Sequence, residues 1–276
     1  MKIRHFFKNR SNYSFLLILF MFFSVLPNQL KAQDKIVSLK PNITEILFNL
    51  GVGNDVVGVT TYCDYPPQVK KIEKVADYIH VDAEKVLRLK PTLVIGSKEN
   101  SLQRDVQFLK KMGLKVALYS FSNLDEIEKS ILSLGELVHQ KEKAASLVLD
   151  MNQKLEALTK LPKPIHSFVA LVGHDPMVVV GGANFLSEAL VRIGFENVFK
   201  DSRIPYPVVG LEEILRRNPD MILDMSMGTE NGAYQSWQAY SILKAVQQKH
   251  VYRVDVSDLR PSPRLVDGLA RLMDQL

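Results

Sequence analysis

Cysteine and tryptophan are nearly absent: Cys63 and Trp237 stand alone among 276 residues. With one cysteine the chain holds no internal disulfide, so its stability has to come from a packed core. Catalytic signatures are missing too. There is no GxSxG, no P-loop and no HExxH, and the six histidines are scattered without metal-ligand spacing. Residues 1–32 lack any Asp or Glu while carrying Lys2, Arg4, Lys8, Arg10 and Lys31, which account for the formal charge of +5. The rest of the chain balances 30 basic against 30 acidic residues, so the electrostatic footprint of a nucleic-acid binder is absent.

What those first residues do contain is a basic start, "MKIRHFFKNR", followed by an apolar run of 12 residues from Phe15 to Leu26. That run is short for a bilayer span and fits the core of a secretory signal. "LKA" before Gln33 offers the small residue that a signal peptidase needs, which predicts cleavage after Ala32. The alternative is an uncleaved anchor. Cys63 lies far from the cleavage point, so it is no lipid-carrying first residue. A soluble periplasmic protein is the expectation.

Beyond residue 33, short apolar strands alternate with amphipathic helices, the pattern of a parallel α/β sheet. "KIVSL", "DVVGVT", "TLVIG" and "KVALYS" read as strands. "PNITEILFNLG" reads as a helix with Asn42 as N-cap, Glu45 completing a capping box and Gly51 closing it. "DAEKVLRLK" reads as a short helix capped by Asp82 and stopped by Pro91. The tyrosines and paired prolines of "TYCDYPPQ" predict a rigid exposed loop. Residues 124–161 are purely helical in pattern, with no proline and Gly135 as the one glycine, and are expected to form a spine between two lobes, 33–123 and 162–276.

The second lobe repeats the first. "EKVLRLKPTLVI" from Glu84 and "EEILRRNPDMIL" from Glu212 share Glu, Leu, Arg and Pro in place, 128 residues apart. "TEILFNLG" from Thr44 pairs likewise with "SEALVRIG" from Ser187. The fold class is therefore α/β: two pseudo-symmetric lobes with mostly parallel sheets, joined by one long helix, with a ligand cleft between them.

Few residues carry chemistry. Cys63 with His80 is the weak nucleophile candidate of an exported hydrolase. Gly181-Gly182 is a lone turn pair, weak as a phosphate cradle. His139 and His250 fall on helix faces, whereas His80 and His174 sit at strand or loop ends facing the cleft. Tyr62, Tyr65, Tyr78 and Tyr206 fall in loops beyond strand ends, the edge at which open α/β sheets bind ligands. A tyrosine offers a flat apolar face with a polar tip, suited to a large ligand with polar substituents. Trp237, in "GAYQSWQAY", reads either as a pocket wall or as a surface anchor. Glu84 and Glu212 each sit in the first turn of a helix, where a carboxylate favours the helix dipole. As a symmetric pair they also suit a two-fold partner with paired cations.

The segments "TTYCDYPPQVKKIEKVADY", "AEKVLRLKPTLVI", "ENVFKDSRIPYPV" and "SPRLVDGLARLMDQL" resemble the periplasmic cobalamin-binding proteins of ABC importers, within the iron-and-cobalamin class of substrate-binding proteins. The resemblance covers nearly all of the chain after the signal. It implies a monomeric, non-enzymatic receptor that holds cobalamin as cargo rather than as a cofactor, has no metal site of its own, and hands the cargo to a permease dimer with its ATPase subunits. Tyr62, Tyr78 and Tyr206 match the family's pocket aromatics, and Glu84 and Glu212 match the glutamates that meet permease arginines. Tyr78 and Tyr206 stand where cobalamin binders often have Trp, Ser97 where another pocket Trp occurs, and His174 where an aromatic-bearing loop is usual. Haem and ferric siderophores are the alternative cargoes within the class.

Overall fold

All but one of the β-strands of the first half are near-continuous apolar runs, as a sheet covered on both faces requires. The computed structural model describes residues 34–77, 80–162, 165–226 and 233–276. The expected signal peptide and Tyr78 lie outside the described residues. In the first half, β1 (Ile36–Ser38), α1 (Pro41–Asn49), β2 (Val56–Thr60), β3 (Glu73–Ala76), α2 (Ala83–Leu89), β4 (Leu93–Ser97), α3 (Arg104–Lys111) and β5 (Val116–Tyr119) follow in order. Their five strands are all parallel, in the order β3-β2-β1-β4-β5. The strand order reverses between β1 and β4, which places a crevice beyond the carboxyl ends of those strands. β3 lies within a stretch whose charge hides its strand character.

The helical stretch is not one helix. α4 (Leu124–Leu137) and α5 (Lys141–Thr159) are separated at His139, whose φ of 58° is left-handed. The two helices pack tightly on each other. A Cβ on Gly135 would stand 2.2 Å from the Ala144 Cβ, so the single glycine noted in the sequence marks the point where the helices touch. Gly135→Ala should lower stability despite the better helix propensity of alanine. Overpacking costs about 1–3 kcal/mol against a propensity gain of at most about 1 kcal/mol. Thermal unfolding followed by circular dichroism measures this, and an unchanged midpoint would mean that the helices separate without cost.

The second half consists of β6 (Ser167–His174), β7 (Met177–Val179), α6 (Phe185–Arg192), β8 (Glu196–Asn197), α7 (Leu211–Arg217), β9 (Met221–Asp224), α8 (Ala233–Trp237), α9 (Lys244–Gln247), β10 (Val251–Arg253) and α10 (Leu265–Met273). β8, β9 and β10 run parallel to β6, while β7 folds back antiparallel on its carboxyl-terminal half. The order β8-β6-β9-β10 thus repeats β2-β1-β4-β5 with a hairpin added.

The internal repeat holds at the level of backbone angles. α2 and α7 begin and end 128 residues apart, as do the starts of β4 and β9. Each helix closes on a left-handed residue, Lys90 or Asn218, immediately before the matched proline. The next residue then ties down the first strand of its own sheet: Thr92 Oγ1 accepts from Lys35 N, and Asp220 Oδ2 accepts from Ser167 N.

One departure concerns the start of α1. Pro41, with its fixed φ, starts α1 two residues earlier than a cap at Asn42 would, so Lys40 and not Asn42 stands at the cap position. Glu45 makes no capping box and is instead fully buried among partners from the end of the chain. The apolar core is continuous across residue 162. Asp34–Leu276 is one compact unit, and a single apolar core runs from Ile36 and Ile43 through Ile131 and Phe168 to Leu269. Two further clusters, around Val86 and around Ile222, line the outer face of each sheet.

Candidate functional site

Crevice-forming loops leave the carboxyl ends of both sheets, and two braces hold them opposite each other. At the first brace, the loop after β2 meets the loop after β10. Arg260 donates to both oxygens of Asp64, to the Tyr62 carbonyl and to Glu45 Oε1. Arg264 donates to both oxygens of Glu45 and lies over the Tyr65 ring, 4.2 Å from its centroid. Ser262 Oγ donates to Glu45 Oε2 at 2.6 Å. Burial pushes the Asp64 carboxyl up, but the Arg260 guanidinium outweighs it and holds the group below its ordinary value. At the second brace, Leu124 N, just after β5, donates to Glu188 Oε2 on α6 at 2.8 Å. Glu45 and Glu188 are the equivalent glutamates of the repeated "TEILFNLG" and "SEALVRIG". Each half therefore uses the same position to grip the segment that follows the last strand of the other.

Between these loops stand the exposed aromatics. Tyr62 and Tyr65 are 41% and 42% exposed on the first half, and one face of Tyr65 is taken by Arg264. On the second half, residues 205–209 run antiparallel beside β7, through Val179 N to Pro207 O and Val209 N to Met177 O. Alternation along this segment turns Ile204, Tyr206 and Val208 outward, at 61%, 48% and 67% exposure. Gly181 and Gly182 make the segment possible. A Cβ on either would stand 2.1 Å from the carbonyl oxygen of Ile204 or Lys200, so the pair serves close backbone approach rather than a phosphate.

His174 ends β6, and its Nε2 lies 2.9 Å from Asp224 Oδ2 at the end of neighbouring β9. Asp224 is fully buried and also accepts from Ser226 N and Ser226 Oγ. Burial pushes its pKa up, but the Ser226 and His174 hydrogen bonds dominate, and the carboxyl sits below its ordinary value. Asp224 escaped the sequence reading because nothing near it in the chain marks it out.

The other predicted residues are placed differently. Trp237 is 1% exposed and packs in the core of the second half against Tyr240, so it is neither an open wall nor an anchor; its ring backs that of His174 at 6.1 Å. Ser97 is buried, and its hydroxyl meets Glu99 and Asn100 at the turn after β4. Cys63 is buried with its Sγ between Thr44 Oγ1 and Thr60 Oγ1, at 3.3 and 3.1 Å. The His80 backbone closes a turn with Asp77. Glu84 and Glu212 are exposed at the starts of α2 and α7, and neither carboxylate has a hydrogen-bonding or ionic partner among the described residues. Both helices start beyond the carboxyl ends of their sheets, on the side from which the tyrosine loops emerge.

A family model described as periplasmic binding protein matches residues 36–257. The chain belongs to the periplasmic binding protein family. Among curated members it is 32% identical over 248 residues to the vitamin B12-binding protein of Vibrio cholerae serotype O1, covering 88% of this chain and 89% of the relative. Among solved members, the periplasmic vitamin B12-binding protein BtuF of Vibrio cholerae superposes with a TM-score of 0.74 at 31% identity, covering 87% of this chain and 95% of that one. The periplasmic heme-binding protein HutB of Vibrio cholerae reaches a TM-score of 0.79 at 23% identity, covering 88% and 99%, and shares the fold. These relatives are named as binding proteins, not as enzymes. No helix among the described residues is long and apolar enough to cross a membrane.

Proposed function

We propose that this chain is a periplasmic receptor that captures a corrinoid, cobalamin, and delivers it to an ABC permease dimer with its ATPase subunits. The observation that supports this reading is the exposure of aromatic and aliphatic side chains on loops of both halves: Tyr62 on the first, and Ile204, Tyr206 and Val208 on the second. Flat apolar faces with polar tips suit a broad macrocycle edged with amides. Each stacked ring adds about 1 kcal/mol beyond the area it buries. The resemblance to vitamin B12-binding relatives over most of the chain points the same way. Tyr78 is included only through its match to the family's pocket aromatics. Ser97 and Trp237 support the pocket from behind rather than lining it. Glu84 and Glu212 are the docking carboxylates. The chain is exported, cleaved after Ala32, works as a monomer and performs no covalent chemistry.

Calorimetry of residues 33–276 with cyanocobalamin, haem and a ferric siderophore tests the cargo. Cyanocobalamin should bind, and Tyr206→Ala should weaken it by about tenfold, the equivalent of about 1.4 kcal/mol. Binding of haem alone, with a shifted Soret band, overturns the corrinoid reading.

A further inference from the structure

An imidazole whose one nitrogen is fixed to a buried carboxylate, and whose other nitrogen is open, is a preformed ligand for a transition metal. The carboxylate sets the tautomer and fixes the orientation of the ring. His174 has this arrangement. Its Nε2 faces Asp224 Oδ2 at 2.9 Å, and the ionised, fully buried carboxylate makes Nε2 the nitrogen that carries the proton. Asp224 is itself fixed by Ser226 N and Ser226 Oγ, and Arg253 Nη1 stands 3.9 Å from it. Trp237 limits rotation of the imidazole from behind. The side chain remains 29% exposed, and Nδ1 makes no hydrogen bond among the described residues. The strands carrying the pair, β6 and β9, are adjacent and central in their sheet, and both residues lie at the carboxyl-terminal edge that faces the crevice.

We infer that His174 is an axial ligand to the metal of the bound macrocycle, acting through Nδ1, with Asp224 as its positioning residue. The inference rests on the corrinoid reading and adds to it a preference for cargo whose upper axial position is exchangeable. On binding, the Nδ1 lone pair bonds to cobalt and the water on that face leaves. No electron is transferred, and the Nε2 proton stays between the ring and Asp224. A cyanide on the same face is held far more firmly and blocks the bond. Cyanocobalamin would then be held by the aromatic faces alone, whereas aquocobalamin would gain a coordinate bond. A histidine that merely satisfies Asp224 would produce no such distinction.

Visible absorption and calorimetry with aquocobalamin and cyanocobalamin separate the two cases. The wild-type protein should shift the aquocobalamin bands to those of a nitrogen-ligated cobalamin, leave the cyanocobalamin bands in place, and prefer aquocobalamin. His174→Ala should abolish both the shift and the preference. Asp224→Asn should weaken the preference by about 10-fold or more, the usual effect of losing a partner of a metal-bound histidine. Circular dichroism and cyanocobalamin binding report whether each variant is folded. If the variants do not fold, the wild-type spectra decide alone, because the band shift needs no substitution. Equal binding of both cobalamins with no band shift overturns the ligand role and leaves the corrinoid reading intact. Binding of neither overturns both.

Discussion

Replacing Glu84 and Glu212 together with lysine should abolish uptake by cells that depend on this receptor, while the purified protein binds its cargo as before. The two carboxylates occupy the same position of a repeated cassette, in the first turns of α2 and α7, and both are exposed without partners among the described residues. Surface glutamates in such a position gain about 0.3–1 kcal/mol from the helix dipole, so the substitutions lower stability modestly and leave the fold in place. Their effect falls on the partner. Each reversal places a lysine where a cation is expected to dock, and like-charge juxtaposition costs several kcal/mol. A loss of that size lowers docking affinity by on the order of 10²-fold or more per site. Single reversals should give intermediate uptake, because one correct contact remains. Normal uptake by the double variant would remove the docking role from both residues.

The second large effect concerns Glu45. Its carboxylate is fully buried and accepts from Ser262, Arg260 and Arg264, which lie more than 200 residues further along the chain. Glu45→Ala opens a cavity and removes the fully buried counter-ion from two guanidinium groups, each 15% exposed, which keep only the more exposed Asp64 and Asp258, and it leaves the Ser262 hydroxyl without its acceptor. Breaking a buried ion pair in this way costs about 3–5 kcal/mol. At about 2–4 °C per kcal/mol for a chain of this size, the melting point should fall by on the order of 10 °C. A fall of only a degree or two would show that the brace carries no weight. Arg260 also holds the exposed Asp64, whose pKa lies below its ordinary value of 3.8. A depressed carboxylate stabilises above its unfolded pKa and loses that contribution as pH falls through the lower folded value. The Asp64 contribution to this brace should therefore persist at neutral pH and fade below pH 3.8. Asp64→Asn should remove that part of the acid sensitivity.

Much of this frame was legible in the residues. The α2–β4 and α7–β9 cassettes were readable because a proline follows a short amphipathic helix at the same spacing in both halves. Asp82 was readable as a cap because its side chain acts locally, on Lys85 N. What stayed hidden is long-range or masked by composition. β3 carries Glu73 and Lys74 on an edge strand, where charge is tolerated and blurs the pattern. β7 is only three residues long and folds back across a turn. The break at His139 depends on one residue adopting a left-handed angle, for which histidine gives no strong signal. At the site, the tyrosine loops were visible through proline and glycine. The Glu45 cluster was not, because its partners meet only once the chain has returned to its beginning. Trp237 was ambiguous for a physical reason: a polar neighbourhood in sequence says little about which face of a short helix turns inward.

The reciprocal grip of Glu45 and Glu188 also bears on how cargo leaves. A hinge needs one pivot about which two bodies swing freely, whereas this molecule is lashed at two points by equivalent residues acting in opposite directions along the chain. Spreading the jaws about either point strains the other. The receptor alone should therefore unload slowly, and rapid unloading calls for outside work, applied where a membrane gate pulls on both jaws at once.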